Sequence, residues 1–444
     1  MKLYFFILVC SLAACSTPLK KVESPQATYS KKMVESRAMK SFYTNRNQQQ
    51  LAKAHWDYVP GLVAFSVLKT WEQYPEKEEY YQLVKTYTDH CLQGQDTVHV
   101  NKSNIDDLAA GKILFTLYRE ELKRGNTADA KRYKNCATFL RNKLKYDHSR
   151  IDASKPGAGG FYHKAQYPNQ MWLDGLYMGP ALYAQWQDVF AREISTQENN
   201  QSWADIALQF KTIHQYTYDG EKQLNYHGWS ADPEDENSFW ARKSGPYKGC
   251  SPEFWGRGMG WYFAALVDVL EIMPKEHSDY KSLSEIMNQV AAGLARYQDK
   301  HSGSWYQLLQ YDNTKKSDNK GDEISGNFYN QCDQANYLES SASSMFTYAY
   351  LKGIRLRLLN KDTYQPVAEK AYRGLLSNFI REEKNGDLNI LQSCASAGLG
   401  PAKDPSRTGT VNYYLCGKDV TITQNEGKAI GPFILASLEY ERRK

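Results

Sequence analysis

Two kinds of helical pattern alternate along the chain. In residues 281–297, apolar side chains including Leu283, Ile286 and Val290 recur every three or four positions with polar residues between them, which is typical of a helix with one buried face. In residues 255–273, nearly every position is apolar, which is typical of a helix that other helices enclose. The chain therefore contains both surface helices and interior helices.

Each of the two patterns occurs six times. The interior pattern predicts helices at residues 56–70, 105–120, 172–186, 255–273, 338–358 and 427–440. The half-buried pattern predicts helices at residues 30–43, 78–91, 129–144, 203–216, 281–297 and 363–379. Six helical hairpins without a strand-rich segment predict an all-α fold, an (α/α)6 barrel that forms one domain over residues 30–444. An open solenoid would need a fixed repeat of about 34 to 47 residues, which we do not find.

The connections differ between the two ends of the interior helices. After an interior helix the chain turns quickly, as in residues 71–77, but long connections precede the interior helices at 145–171, 218–254, 299–337 and 380–426. The long connections therefore share one mouth of the barrel with the N-termini of the interior helices. Free N–H groups and helix dipoles at these N-termini favour an anion, so we expect a small acidic ligand there.

Composition adds a chemical class to this ligand. The chain has 444 residues, of which 33 are Tyr and 10 are Trp, and such rings stack on sugar faces while their polar edges bind hydroxyl groups. The formal net charge is +5, with basic and acidic residues interspersed. A nucleic-acid partner is therefore not expected, and the sequence leaves the oligomeric state open.

The N-terminus resembles a bacterial lipoprotein signal. Lys2 precedes a short apolar run, and Leu-Ala-Ala at residues 12–14 is followed by Cys15, an arrangement at which such signals are cleaved and the cysteine is acylated. The segment is too short to span a bilayer. We expect a signal peptide at residues 1–14, a tether at 15–29 and a lipid anchor in the bacterial cell envelope as the chain's sole membrane attachment; an ordinary secretory signal with an incidental Cys15 is the alternative.

The remaining cysteines leave two interpretations open. Six follow Cys15, namely Cys91, Cys136, Cys250, Cys332, Cys394 and Cys416. An oxidising compartment permits disulfides, but the spacing fixes no pairing and matches no metal-binding pattern. Buried free thiols are an equally good interpretation.

Four motifs resemble glycoside hydrolase family 105, the unsaturated rhamnogalacturonyl hydrolases. They are MWLDGLYM at residues 171–178, FWGRGMGWY at 254–262, YLESS at 337–341 and GKAIGPF at 427–433. The resemblance runs from about Trp56 to the C-terminus and implies an (α/α)6 barrel that needs no metal or other cofactor. It also implies a substrate, an acidic oligosaccharide carrying the 4,5-unsaturated uronic acid that lyases leave at the non-reducing end. The chain departs from the family in the 226–250 loop and at Asp106-Asp107, so the polysaccharide (rhamnogalacturonan, ulvan or a related polymer) stays open.

Asp174 and Asp106 are the predicted catalytic carboxylates. Asp174 lies in the first turn of an interior helix beside Trp172, where partial desolvation should raise the pKa of a carboxyl group and make it a proton donor. The residue pattern alone equally suits a first-turn aspartate that complements the helix dipole; the resemblance assigns the acid/base role. Asp106 begins another interior helix and would be the second carboxylate, although Asp107 is an alternative.

The predicted substrate-binding residues surround these carboxylates. Arg257 lies between two glycines, which would let its guanidinium approach a ligand carboxylate in bidentate geometry; a salt bridge to a neighbouring acid is the alternative. Loop histidines and mouth aromatics complete the set: Tyr58, His163, Trp172, His227, Trp255 and Trp261. A loop histidine is more often structural, and a buried aromatic ring is more often part of the core.

The resemblance implies hydration of a double bond. In that mechanism Asp174 protonates C4, water adds at C5, and the resulting hemiketal opens and breaks the glycosidic bond. Direct displacement at the anomeric carbon, which paired carboxylates usually drive, is a different reaction. The alternative from another functional class is a surface lipoprotein that binds glycans at the same mouth without turnover.

Replacement of Cys15 tests the predicted anchor. Because the lipid would be attached to the Cys15 sulfur, Cys15→Ser should move the protein from the membrane fraction to the soluble fraction. Cell fractionation with immunoblotting measures this, and Cys10→Ser is a matched control that should stay with the membranes. Recovery of Cys15→Ser in membranes at the wild-type level would show that Cys15 is not the anchor.

Overall fold

The computed structural model describes residues 28–40, 42, 55–312 and 334–443. The predicted signal at residues 1–14, Cys15 and Cys332 lie outside these ranges, so their interpretation stays a prediction. Within the described ranges, no helix combines the length and the apolar composition that crossing a membrane requires.

The described chain is mainly helical. In chain order the α-helices are α1 (Tyr29–Glu35), α2 (Arg37–Lys40), α3 (Tyr58–Gln73), α4 (Glu78–Leu92), α5 (Ile113–Lys123), α6 (Thr127–Asn142), α7 (Leu173–Met178), α8 (Pro180–Phe190), α9 (Thr196–Thr217), α10 (Gly256–Ile272), α11 (Tyr280–Arg296), α12 (Ser340–Arg355), α13 (Lys361–Asn378), α14 (Val411–Cys416) and α15 (Gly427–Glu441). A 3₁₀ helix, Ile105–Lys112, leads directly into α5. Shorter 3₁₀ and π turns lie at Lys143–Asp147, Ala191–Glu193 and Glu236–Ser238.

Short strands occur in the long connections. They are β1 (Gln170–Trp172), β2 (Tyr218–Asp219), β3 (Leu224–Asn225), β4 (Gly228–Ser230), β5 (Ile380–Glu382), β6 (Leu388–Ile390), β7 (Ser393–Cys394) and β8 (Ile422–Thr423). In the described residues they pair as four antiparallel ribbons, β1 with β4, β2 with β3, β5 with β6, and β7 with β8.

Six helical segments form a closed inner ring. They are α3, the Ile105–Lys112 helix with α5, α7 with α8, α10, α12 and α15; each packs on the next, and α15 packs back on α3. The helices α4, α6, α9, α11 and α13 pack outside α3, α5, α8, α10 and α12, and α1 packs on α15. The predicted (α/α)6 barrel is therefore confirmed, whereas the assignment of residues 30–444 to one domain stays a prediction.

Burial follows the two sequence patterns. In α11, Leu283, Met287 and Val290 are fully buried while Lys281 and Glu285 are exposed, as expected for a helix with one apolar face. In α10, every residue from Gly256 to Leu270 is buried. Close packing in the ring depends on small residues: a Cβ atom on Gly61 would lie 2.5 Å from the Cβ atom of Ala110.

One inner element departs from the predicted boundaries. The pattern predicts a single helix over residues 172–186, but Trp172 belongs to β1 and α7 ends at Met178. Pro180 begins α8, because proline lacks the N–H that would continue α7 and suits the first turn of a new helix. Trp172 lies in β1, at the mouth of the barrel and directly before α7.

The β1–β4 ribbon joins two distant parts of the sequence at this mouth. Trp172 lies opposite Gly228 in the ribbon, and the Leu173 N–H donates to the His227 carbonyl oxygen at 3.0 Å. A Cβ atom on Gly228 would lie 2.9 Å from Cδ1 of Trp172, so the close approach needs glycine. The ribbon thereby places His227 beside the first turn of α7.

The described cysteines include both free thiols and a disulfide-bonded residue, the two states that the sequence left open. Cys91, Cys136, Cys250 and Cys394 are free thiols. Cys416, at the end of α14, forms a disulfide.

Candidate active site

A pocket of about 230 Å³ opens at the N-terminal ends of the inner helices. The predicted site residues that line it are Tyr58, Asp106, His163, Trp172, Asp174, Trp255, Arg257 and Trp261. The long connections also contribute Lys164, Tyr167, Arg407 and residues 396–398, and α15 contributes Lys428. The volume lies below the roughly 300–1,000 Å³ typical of pockets for drug-sized ligands, and it suits a ligand the size of one sugar ring.

Asp174 and His227 form the central hydrogen bond of the pocket. Asp174 lies in the first turn of α7, and its Oδ2 is 2.9 Å from Nε2 of His227. The other ring nitrogen of His227, Nδ1, is 2.6 Å from the hydroxyl oxygen of Tyr414 in α14. A continuous chain of hydrogen bonds therefore runs from Tyr414 through His227 to Asp174.

His227 lies behind the pocket. Its side chain is fully buried and does not line the pocket, whereas Asp174, to which it is hydrogen-bonded, does. Direct binding of substrate by His227 stays a prediction. Tyr414, which completes the chain, was not identified from the sequence, because it lies in a connection without a periodic pattern.

The environment of Asp174 lowers its pKa. Burial by itself raises the pKa of this carboxyl group, but the charge and the hydrogen bond of His227, with a smaller contribution from His163, lower it further than burial raises it. The predicted rise of the Asp174 pKa is therefore wrong for the empty pocket. Asp174 is ionised there at neutral pH.

Asp106, and not Asp107, faces the pocket. Oδ2 of Asp106 pairs with the Lys164 ammonium at 2.6 Å. Asp107 instead accepts hydrogen bonds from the Asn101 backbone N–H at 2.7 Å and the Asn104 side-chain amide at 2.6 Å, so it stabilises the loop before the 3₁₀ helix. Lys164 directly follows His163 in the sequence, so it could have been identified there as a basic residue at the mouth.

His163 forms part of an aromatic stack. Its ring lies 4.2 Å from that of Trp172, nearly parallel to it, and Nε2 is 3.7 Å from Oδ1 of Asp106. Burial lowers the pKa of His163 to about 4, so the imidazole is neutral at pH 7. Its Nδ1 has no hydrogen-bond partner in the described part of the chain.

Arg257 supplies a buried cation without a carboxylate. The guanidinium is 2% exposed and packs over Trp255, 4.8 Å from the ring centroid. Its Nη1 donates to the Cys394 carbonyl oxygen, and its Nε has no hydrogen-bond partner among the residues that the structure describes. Among the described residues no carboxylate forms an ion pair with Arg257, so the alternative of a salt bridge to a neighbouring acid is not realised.

A second cation lies at the same end of the pocket. Lys428, in the first turn of α15, pairs with Glu426 at 2.7 Å, and burial together with the charge of Arg257 lowers its pKa. Lys428 belongs to the GKAIGPF motif and could have been identified there as a basic residue at a helix N-terminus. Arg407, at the rim, pairs with Asp419 at 2.7 Å; it lies in a long connection whose sequence gave no signal.

The pocket contains side chains for two tasks, binding of an anion and exchange of protons. Arg257 and Lys428 can hold an anionic group, whereas Asp174 and Asp106 can exchange protons or accept hydrogen bonds. Aromatic rings between them offer faces for a sugar. In the part of the chain that the structure describes, no three His, Cys, Asp or Glu side chains come together as a metal site.

Replacement of His227 tests the cause of the Asp174 pKa. His227→Gln removes the charged form of the imidazole but keeps the burial of Asp174, so the Asp174 pKa should rise. Carbon NMR of protein labelled at aspartate Cγ measures this titration. His163→Gln is the control and should shift the pKa less, because His163 contributes less. An Asp174 pKa that stays below its ordinary value in His227→Gln would overturn the assignment.

Comparison with known proteins agrees with this geometry. The model of Glycosyl Hydrolase Family 88 matches residues 29–327 and 322–444. The structure of a family 105 glycoside hydrolase from C. acetobutylicum ATCC 824 superposes with a TM-score of 0.77 at 34% identity, covering 94% of this chain and 100% of that one. The resemblance to family 105 is therefore confirmed.

Two curated relatives have described activities. An unsaturated rhamnogalacturonyl hydrolase from Bacillus subtilis (strain 168) is 24% identical over 260 residues, 57% of this chain and 64% of that protein. An unsaturated 3S-rhamnoglycuronyl hydrolase from Alteromonas sp. (strain LOR) is 28% identical over 246 residues, 55% of this chain and 48% of that protein. The family match covers nearly all of the described chain, and the chain therefore belongs to Glycosyl Hydrolase Family 88 and is a glycosidase, as its sequence predicts.

Proposed function

We propose that this glycosidase removes a 4,5-unsaturated uronic acid from the non-reducing end of oligosaccharides that polysaccharide lyases produce. The observation that carries the proposal is a buried Arg257 without a carboxylate partner in the same pocket as the Asp174–His227 pair. The named relatives act on unsaturated rhamnogalacturonyl and 3S-rhamnoglycuronyl substrates. We therefore take rhamnogalacturonan, ulvan or a related polymer as the source of the oligosaccharide.

The carboxylate of the uronic acid binds at the Arg257 end of the pocket. The guanidinium has an unpartnered Nε, and a charge-assisted hydrogen bond from it to a carboxylate is strong in a buried site. Lys428 adds a second positive charge nearby. The sugar ring then lies among the aromatic side chains, with its C4=C5 bond toward Asp174.

Binding of this anion prepares Asp174 to donate a proton. In the empty pocket the carboxyl group is ionised, but a bound uronate displaces water and adds a second negative charge, and both effects raise the pKa of Asp174. The proton can reach Asp174 from Nε2 of His227, which is 2.9 Å away. The Tyr414 hydroxyl on Nδ1 holds the imidazole in the required orientation.

In the hydration step, Asp174 first donates a proton and then takes one back. Asp174 gives a proton to C4, which leaves a positive charge shared between C5 and the ring oxygen. Water adds at C5 and returns a proton to Asp174. The C5 hemiketal opens, the ring is lost, and the aglycone is released from the open-chain product. Asp106, held by Lys164, is placed to bind a hydroxyl group of the sugar or the attacking water.

We also propose that this reaction takes place at the bacterial cell envelope. The lipoprotein-like sequence that ends at Cys15 supports this location. A lipid on Cys15 would hold the enzyme at the membrane, where oligosaccharides released by lyases outside the cell arrive.

Replacement of Asp174 tests the reaction and its mechanism together. Asp174→Asn should abolish turnover and leave substrate binding largely intact, because the amide keeps the shape and loses the acid. Loss of the ultraviolet absorbance of the unsaturated uronate, measured on lyase-digested rhamnogalacturonan and ulvan, reports turnover. Binding by the wild-type protein without any loss of absorbance would favour a glycan-binding protein instead.

Labelled water separates hydration from anomeric hydrolysis in the same experiment. In ¹⁸O water, hydration places the label on C5 of the released uronate, whereas anomeric attack places it on C1. The C5 ketone exchanges with solvent, so it must be trapped quickly by borohydride before mass spectrometry. Early label at C1 with none at C5, or near-wild-type turnover by Asp174→Asn, would remove Asp174 from the proposed role.

Replacement of Arg257 tests carboxylate recognition. Arg257→Ala should cost on the order of 2–4 kcal/mol in kcat/KM, as expected for loss of a charge-assisted contact in a buried site. Arg257→Lys keeps the charge without the planar fork and should lose less activity. Steady-state kinetics on the free acid and on its methyl ester measure the effect. Equal rates for acid and ester would contradict the proposed recognition.

A further inference from the structure

The barrel has a second cavity at the end opposite the candidate active site. Its volume is about 340 Å³, compared with about 230 Å³ for the catalytic pocket. All six inner elements contribute to its wall from their C-terminal parts, with Lys69, Arg119, Asp188, Asp268, Lys352 and Glu439 as one representative each. The proposed reaction does not use this cavity.

Ion pairs neutralise nearly all of the charged groups on the cavity wall. Five cations each have a carboxylate partner: Lys69 with Glu72, Arg119 with Asp188, Lys352 with Asp268, Arg355 with Glu439 and Arg442 with Glu439. Glu271 pairs with both Lys352 and Arg355. The Arg119–Asp188, Lys352–Asp268 and Arg355–Glu439 pairs join neighbouring inner helices, whereas the Lys69 and Arg442 pairs are local. One lining cation remains.

Lys112 is that cation. It is 2% exposed, and its Nζ donates to the Tyr177 carbonyl oxygen at 3.3 Å and lies 3.0 Å from the centroid of the Tyr177 ring. Among the described residues it has no carboxylate partner, and its hydrogen bond and its nearest ring contact are both with Tyr177. Burial lowers the Lys112 pKa to about 7, and attraction to Asp268 offsets this only in part.

Asp268 lies on the same wall and has an oxygen atom that can accept a further hydrogen bond. Its Oδ1 accepts hydrogen bonds from the Tyr348 hydroxyl at 2.6 Å and the Lys352 ammonium at 2.7 Å. Among the described residues its Oδ2 is buried without a hydrogen-bond partner. The wall therefore combines a buried amine that lacks a carboxylate partner with an unused acceptor on a buried carboxylate, and an unsatisfied buried group is costly.

We propose that this cavity is a second binding site, for a small hydroxycarboxylate such as a monomeric sugar acid. The ligand carboxylate would pair with Lys112, and a ligand hydroxyl group would donate to Asp268. When Lys112 is protonated, six lining cations face five lining acids, namely Glu72, Asp188, Asp268, Glu271 and Glu439, so one monoanion balances the wall. A chloride ion, which has no hydroxyl group, would satisfy Lys112 alone, whereas a hydroxycarboxylate satisfies both groups.

Calorimetric titration with sodium D-glucuronate tests the proposal. The Arg257→Ala variant serves as the starting protein, because it weakens binding in the catalytic pocket and leaves the second cavity intact. We expect this protein to bind one equivalent, and the double variant with Lys112→Met to bind at least tenfold more weakly. Unchanged affinity on addition of Lys112→Met would overturn the proposal.

Proton uptake identifies the group that binds the carboxylate. At pH 8 most Lys112 amines are neutral, so pairing with a carboxylate should take up close to one proton, measured from the buffer dependence of the binding enthalpy. In Lys112→Arg the cation is permanent, and binding should continue without proton uptake. Uptake that persists in Lys112→Arg would overturn the proposal even if Lys112→Met fails to fold.

Inorganic anions distinguish a specific site from a general one. Sodium chloride and sodium sulfate at matched ionic strength should displace glucuronate poorly, because neither chloride nor sulfate carries a hydroxyl group that could donate to Asp268. Displacement by either anion at concentrations equal to those of glucuronate would show that the cavity binds anions in general, which contradicts a hydroxycarboxylate site.

Discussion

Closure of the inner ring between α15 and α3 is the constraint on which the rest of the molecule depends. The contact is tight, since a Cβ atom on Gly431 would lie 2.8 Å from Cγ of Leu62. Once the ring is closed, all inner helices run in the same sense, and their N-termini meet at one mouth and their C-termini at the other. The first mouth gathers Tyr58, Asp174 and Arg257 from helices far apart in sequence, and the connections that precede α7 and α15 also line it.

Two buried cations, Arg257 and Lys112, lack a carboxylate partner among the residues that the structure describes. Buried ions in folded proteins are normally paired, because an unpaired buried charge is strongly destabilising. Lys352 obeys that rule, since it pairs with Asp268 and Glu271. Within the described ranges, neither of the buried cations Arg257 and Lys112 has a carboxylate partner, and each lines a cavity at its own end of the barrel. An anion that binds in either cavity would supply the missing negative charge. Ligand binding should therefore gain the most free energy from contacts with Arg257 and Lys112.

The Asp174–His227 pair shows how burial and a neighbour compete in setting a pKa. Burial alone favours the neutral carboxyl group, and this is the effect that a sequence with Trp172 beside Asp174 indicates. The opposite outcome arises because the β1–β4 ribbon brings His227 within 2.9 Å of the carboxylate. Since 53 positions separate the two residues in the sequence, the effect belongs to the tertiary structure. In the proposed mechanism, Asp174 therefore takes its proton-donating form only when an anionic substrate arrives.

The sequence by itself determined the barrel and most of its mouth, because periodic burial and the position of a residue at the start of an inner helix are local properties. Asp174 and Arg257 could be identified from motifs, and Lys164 and Lys428 were within reach as basic residues at the same mouth. Only the tertiary structure decided that Asp106 faces the pocket while Asp107 stabilises a loop, since adjacent side chains at a helix start point in different directions. It also decided the place of Tyr414 and Arg407, which come from aperiodic connections, and the isolation of Lys112, because ion pairing depends on which helices become neighbours when the ring closes.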